Sequence, residues 1–259
     1  MPVEPVTAAA PPHPALLLSE PWRAALELGG ALASQPWLAL APRGNGQPVL
    51  VLPGLGADDG YTAPLRSFLR WRGFDPQPWG GGRNLGDWGA LERVVLPALR
   101  DLHARSGQPV ALVGASMGGL YARAAARRLP RLVRCVVTLA SPVHGPHHAN
   151  HVWPLFERAT GQPAQALSVP PPPVPSTSVY SRADGLGDWR PCLQPPAPTH
   201  ENVEVPASHL GMAWHPAVLL MLADRLAQPP QDWRPYAWPG AGRPADPAWA
   251  PDAARAAPG

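Results

Sequence analysis

Lysine is missing from this chain altogether, and all 21 basic residues among its 259 positions are arginine. Charged residues make up only 15% of the sequence and the formal net charge is +3. The arginines are scattered, without a basic run or interleaved aromatics, which argues against a nucleic-acid-binding surface. Cysteine is nearly absent. Cys135 and Cys192 are too few and too far apart for a disulfide framework or a zinc site. Cys135 reads as a buried thiol in a strand, and pairing between the two is left open. No apolar stretch approaches the roughly 18 to 20 residues of a membrane span, so no integral membrane segment is expected. The first residues carry Glu4 and several prolines in place of the basic region and unbroken apolar core of a secretory leader. A cytoplasmic location is therefore expected. There is no internal repeat.

Proline, by contrast, is abundant at 39 residues, and the hydrophobic content of 45% is enough for a full core. The length suits one domain. Residues 1–14 are Pro/Ala-rich and are expected to be disordered. Residues 15–228 read as a single domain with a lid-like insertion over 143–173. Residues 229–259 read as a loosely attached tail. From Ser19 to Ala33 a helical pattern offers Trp22, Ala25, Leu26 and Leu32 to cover a sheet face. Strand and helix then alternate. Strands are expected at 48–52, 74–79, 110–113, 133–139, 174–180 and 202–205. Helices are expected at 62–72, at 88–106 with a kink at Pro97, after Ser116, and at 216–226. This rhythm predicts an α/β fold, a mostly parallel sheet with helices on both faces. The insertion lacks periodicity, apart from a short helix around Trp153 to Thr160.

The most informative segment is Gly114-Ala115-Ser116-Met117-Gly118, set between a β-branched strand pattern and a helix-forming run. Such a turn strains the serine, lets strand and helix pass closely at the glycines, and aims the helix N-terminus at whatever the serine attacks. A serine hydroxyl needs a base, and that base needs an orienting acid. Both should follow strands downstream. Asp184, in Ser181-Arg182-Ala183-Asp184-Gly185, is the candidate acid, with Asp188 its rival. For the base, His200 precedes a strand, His215 opens a helix, and His144, His147, His148 and His151 crowd the insertion. That histidine group has no carboxylate or cysteine in a metal-ligand pattern, so no metal site is expected. His209, just past the 202–205 strand, is the candidate base. The oxyanion donors are expected to be the backbone N–H groups of Met117 and Leu55.

Together, Val49-Leu50-Val51-Leu52-Pro53-Gly54-Leu55-Gly56, the Arg83-Asn84-Leu85-Gly86 loop, the Ser116 turn, the Asp184 segment and Ser208-His209-Leu210-Gly211 resemble bacterial α/β-hydrolase-fold lipases and esterases. The likeness runs from about Pro48 to Ala227. It implies the α/β-hydrolase fold, a Ser116-Asp184-His209 triad, a small-molecule or lipid carboxylic ester as substrate, often an acylglycerol, and no cofactor. The same triad would serve an acyltransferase or thioesterase. A non-catalytic binding protein on this fold would be favoured by a substituted triad member, and all three are present.

Overall fold

The computed structural model describes residues 11–144 and 168–238, with 151, 157, 158 and 161 between them. Most of the proposed insertion, including His147 and His148, lies outside these residues, as do 1–10 and 239–259.

Six strands form one all-parallel sheet: β1 (Pro48–Leu52), β2 (Asp75–Pro78), β3 (Val110–Ala115), β4 (Val133–Leu139), β5 (Ser176–Tyr180) and β6 (His200–Glu204). Their spatial order is β2-β1-β3-β4-β5-β6. The chain thus runs outward from β1 to β2 and then returns to the other side of β1. The carboxyl ends of β1 and β3 are neighbours at this reversal, with Leu52 opposite Gly114. Crevices at such reversals are where open parallel sheets place their sites.

The central strands β1 and β3 are buried along their whole length, and their sequences are near-continuous apolar runs. Along β1, Val49 and Val51 face one core, and Leu50 and Leu52 face the other. The first core is roofed by α3 (Ala63–Trp71) and α6 (Pro216–Ala227), the second by α4 (Leu96–Ser106) and α5 (Met117–Arg128). Leu50, Leu112 and Leu120 are almost fully enclosed, and each such side chain contributes about 1.5–3 kcal/mol. Before α4 the chain forms a π-helical turn over Leu91–Val95. Pro97 lacks the N–H that an ordinary helical bond to residue 93 would require, so the helix widens just ahead of it.

Two expectations need correction. The first helix, α1 (Pro14–Ala33), forms and is continued by the short α2 (Gln35–Leu38), but it lies the other way round. Trp22 and Leu26 are each 76% exposed and Leu32 is 65% exposed, whereas Glu20 is 1% exposed, with Ala24 and Ala31 also buried. A carboxylate faces inward here because the protein body offers it hydrogen-bond donors. α1 also begins at Pro14, N-capped by His13, inside the segment expected to be disordered.

The second correction concerns the start of the tail. Tyr236 is buried against α6, and its N–H donates to Glu201 Oε2 at 2.6 Å. The Arg225 guanidinium, paired with Glu201 at 2.9 Å, also donates to the Arg234 carbonyl. A chain ending at residue 228 should therefore be less stable by about 2 kcal/mol, the worth of one buried aromatic side chain. Its thermal midpoint should fall by roughly 4–8 °C. A melt superimposable on that of the full chain would return 229–238 to the status of loose tail.

Cys135 and Cys192 are both buried and unpaired. Burial pushes the Cys135 thiol up to about 11.

Candidate active site

Each candidate residue sits just past the carboxyl end of a parallel strand: Leu55 after β1, Ser116 after β3, Asp184 after β5 and His209 after β6. Parallel strands point all these loops to one edge of the sheet. That common edge is why positions 154 residues apart in sequence, from 55 to 209, line one cavity of about 490 Å³.

Ser116 has φ 48° and ψ −119°, a left-handed backbone that side chains other than glycine rarely adopt. Such strain persists only where the surroundings over-determine it. Here the Ser116 N–H donates to the Leu139 carbonyl at the end of β4, 2.7 Å away. The glycines on either side allow the close crossing that the sequence anticipates. A Cβ at Gly118 would run into the carbonyl oxygens of Leu52 and Pro53, and one at Gly114 into the backbone of Gly118. Ser116 is the N-cap residue of α5, yet its hydroxyl makes no capping hydrogen bond. Serines at this position usually spend the hydroxyl on the helix, and this one does not.

The candidate acid and the candidate base meet. His209 Nδ1 lies 2.6 Å from Asp184 Oδ2. Asp184 Oδ1 in turn accepts the N–H groups of Leu186 and Gly187 at 2.8 and 3.0 Å, which fixes the carboxylate plane. With Nδ1 donating to the carboxylate, the neutral ring carries its lone pair on Nε2. Burial by itself lowers the His209 pKa; the charge and hydrogen bond of Asp184, helped by the charge of Glu20, outweigh it, so the net shift is upward. Asp188, the rival acid, is turned away and pairs with Arg190 at 3.1 Å. His215 caps α6 through Nδ1, and His200 bonds the Pro172 carbonyl at the start of β6.

The Leu55 and Met117 amides both belong to residues lining the cavity. Met117 is the first residue of α5, where an N–H has no intrahelical acceptor to reach. The Leu55 loop lies directly over the serine: a Cβ on Gly54 would sit 3.2 Å from the Ser116 Cβ. Buried Asn84 holds this loop. Its side-chain amide donates to the Pro53 carbonyl at 2.8 Å, its backbone N–H to Ala57 at 2.8 Å, and its carbonyl accepts from Gly56 at 2.7 Å. The cavity wall is otherwise largely apolar, with Leu120, Leu139, Leu186 and Met212, while Arg83 and Asp58 supply charge.

Sequence reasoning did not assign roles to four residues that hold these loops. Asn84 stood inside a recognised segment without a task. Glu20, Arg23 and Glu27 lie on α1. Glu20 accepts the N–H groups of Gly185, His209 and Leu210 at 2.8, 3.0 and 2.9 Å. Arg23 donates to the Ala183 carbonyl at 2.6 Å and pairs with Glu20 at 2.7 Å. Glu27 takes the N–H and hydroxyl of Ser208 at 2.7 and 2.5 Å. The available signal was their spacing, three and then four residues apart, which puts three charges on one face of a helix.

No group of three or more metal-ligating side chains occurs among the described residues, and no described helix is long and apolar enough to cross a membrane.

Residues 71–168 match the family model of the alpha/beta hydrolase fold. Among solved structures, the chain is similar to lipase B of Aspergillus fumigatus, with a TM-score of 0.54 and 17% identity. That match covers 71% of this chain and 53% of the lipase, so this chain spans about half the lipase's length. It is also similar to a pyrethroid hydrolase of Sphingobium faniae, with a TM-score of 0.52 and 17% identity over 72% of this chain and 99% of that one. A methylesterase from Arabidopsis matches with a TM-score of 0.50 and 18% identity, over 69% of this chain and 98% of that one. No curated protein sequence matches the chain. The architecture is the alpha/beta hydrolase fold.

Proposed function

We propose that this chain is a serine hydrolase of carboxylic esters, working through an acyl-enzyme on Ser116, His209 and Asp184. The observation that carries the reading is the 2.6 Å Asp184–His209 contact, with His209 lining the same largely apolar cavity as an uncapped serine on a left-handed turn. His209 Nε2 takes the hydroxyl proton as Ser116 Oγ attacks the ester carbonyl. The carbonyl oxygen becomes an oxyanion held by the Met117 and Leu55 N–H groups. Collapse of the tetrahedral intermediate expels the alcohol, which receives the proton from His209, now acting as acid. Water, deprotonated by the same nitrogen, then attacks the acyl-enzyme, and the carboxylic acid leaves with Ser116 regenerated. Asp184 keeps the ring in one tautomer and stabilises its protonated form.

The cavity volume of about 490 Å³ falls within the roughly 300–1,000 Å³ of ordinary small-molecule sites. Its leucine and methionine walls suit the acyl chain of an ester. The solved relatives whose names include lipase, methylesterase and pyrethroid hydrolase are in keeping with an ester substrate.

The test is labelling of purified protein with a fluorophosphonate, wild type beside Ser116→Ala, followed by hydrolysis of p-nitrophenyl esters of increasing chain length. Labelling is expected in the wild type only, with measurable hydrolysis that the variant loses. Equal labelling of both, or of neither, would remove Ser116 from the role of activated nucleophile.

A further inference from the structure

We infer that Glu20 is a positioning residue for the Asp184–His209 pair, holding the acid loop and the base loop in register from the N-terminal helix. For its catalytic consequence, this inference rests on the reading of His209 as the base.

Glu20 is 1% exposed, and its carboxylate is filled by donors from the two loops that must meet. Gly185 is the neighbour of Asp184 in the chain. Oε1 receives the N–H groups of Gly185 and His209, and Oε2 that of Leu210. One rigid carboxyl group therefore ties the backbone beside the acid to the backbone of the base itself. The rest of α1 is built around that contact. Gly185 lies directly against the Leu16 backbone, where a Cβ would collide, and the Trp214 indole donates to the Ala24 carbonyl at 2.9 Å. The helix has Leu18, Trp22 and Leu26 available for burial and leaves all three exposed. A helix docked for apolar packing would be turned the other way. Glu27, about two turns further on, docks the same helix to Ser208 and makes no hydrogen bond to the backbone of Asp184, Gly185 or His209, so it serves as the comparison for docking that does not bridge the two loops.

Across the cavity that His209 lines stand Asp58 and Arg83, and the remaining groups facing it come from three directions. Asp184 approaches from the loop after β5. Glu20 approaches from α1, with Arg23 bound to it. Tyr61, ahead of α3, donates its hydroxyl to the Leu210 carbonyl at 3.1 Å, and burial raises its pKa, so it stays neutral. Removing the Glu20 charge therefore removes support for the imidazolium, and removing the Arg23 charge adds support.

The experiment follows the His209 ring by NMR in the full chain, its resonance assigned by loss in His209→Gln, for wild type, Glu20→Gln, Arg23→Met and Glu27→Gln. Fluorophosphonate labelling and ester turnover are measured on the same samples. In Glu20→Gln the His209 titration should move down by about half a pH unit, since an opposite charge at close range shifts a pKa by one unit or more and Arg23 offsets part of it. Turnover should fall about tenfold or more, with KM within about twofold, as for a group that orients the reacting base. In Arg23→Met the titration should move up. In Glu27→Gln it should stay in place while the melting temperature falls. Should Glu20→Gln fail to fold, the upward shift in Arg23→Met carries the test alone. No shift in either variant, or shifts of the same sign, would overturn the assignment and leave Glu20 a structural contact. A wild type that does not label, with the titrations nonetheless moving in opposite directions, would remove the hydrolase reading and keep Glu20 as the organiser of the pair.

Discussion

His209→Gln is expected to lower kcat by about four orders of magnitude and to leave the thermal unfolding midpoint within a few degrees of wild type. The size follows from the interdependence of nucleophile and base: a serine hydroxyl without a proton acceptor is hardly a nucleophile, so losing the base costs about as much as losing the serine. Glutamine has no basic nitrogen to replace Nε2. Steady-state ester hydrolysis measures the effect, and the same assay on the wild type across pH supplies its companion. As the proposed base, His209 must be unprotonated to accept the serine proton. Its pKa is raised in the folded chain by Asp184 and Glu20, against the opposing pull of burial. Activity is therefore present above that raised value and is lost as pH falls through it, so the acid limb lies above the ordinary histidine value of about 6.5. The effect on stability has the opposite sense. A raised histidine pKa stabilises the fold below the unfolded value, and that contribution disappears as pH rises through the folded one. An acid limb below the ordinary histidine range would contradict the upward shift, and a His209→Gln enzyme retaining a tenth of its turnover would rule out His209 as the base.

Gly118→Ala destabilises the fold by about 3 kcal/mol, lowers the melting temperature by roughly 10 °C, and abolishes fluorophosphonate labelling. The new methyl group has nowhere to go. It points at the Pro53 carbonyl oxygen, 2.7 Å away, and at the Leu52 carbonyl oxygen, closer still. Both belong to backbone at the end of β1, in the sheet interior. A flexible side chain could turn aside, but these carbonyls are backbone, Leu52 paired with Gly114 of β3 and Pro53 held by the Asn84 amide. Relief requires α5 to lift from β1, which moves the Met117 N–H and the Leu55 loop apart. Calorimetry reads the first effect and labelling the second. A variant that melts with the wild type would show that helix and strand do not approach as closely as this crossing demands. Gly29, in α1, has nothing near its open position. Alanine there should leave labelling intact and is the matching control.

The two predictions differ in how far the sequence alone could have led to them. Gly118 stands out in the sequence because strand, glycine-flanked serine and helix follow one another without a gap, and local chemistry dictates the turn. The sheet was legible for a similar reason. The apolar run Val49 to Leu52 and the β-branched run Val133 to Leu139 suit strands buried on both faces, and they appear as β1 and β4. Strand order followed less directly, since nothing in β1 states that β2 and β3 flank it. Asp184 could be favoured over Asp188 only as the residue at the strand edge. The fold shows the difference plainly, with one carboxylate 2.6 Å from the imidazole and the other held by Arg190.

Helix α1 marks the limit. Its periodicity was correctly that of a helix, and Trp22 and Leu26 form a stripe that local reasoning places inward. A sequence pattern gives the angle between side chains around the axis, but not which direction meets the protein body. That direction depends on partners more than 150 residues away, the N–H groups of Gly185, His209 and Leu210, which the Glu20 carboxylate accepts. The same holds for Tyr236, an unremarkable aromatic in a proline-rich tail until Glu201 and α6 provide its place. What the sequence determined by itself was the local chemistry: strands, helices, the strained serine turn and the candidate acid and base, because these depend on residues close along the chain. What only the tertiary structure decided was the meeting of Asp184 with His209, the face α1 turns inward, and the packing of the chain beyond residue 228. These depend on which buried donors and acceptors face one another across the fold, and a hydrogen bond of that kind leaves no periodicity in the chain to be read.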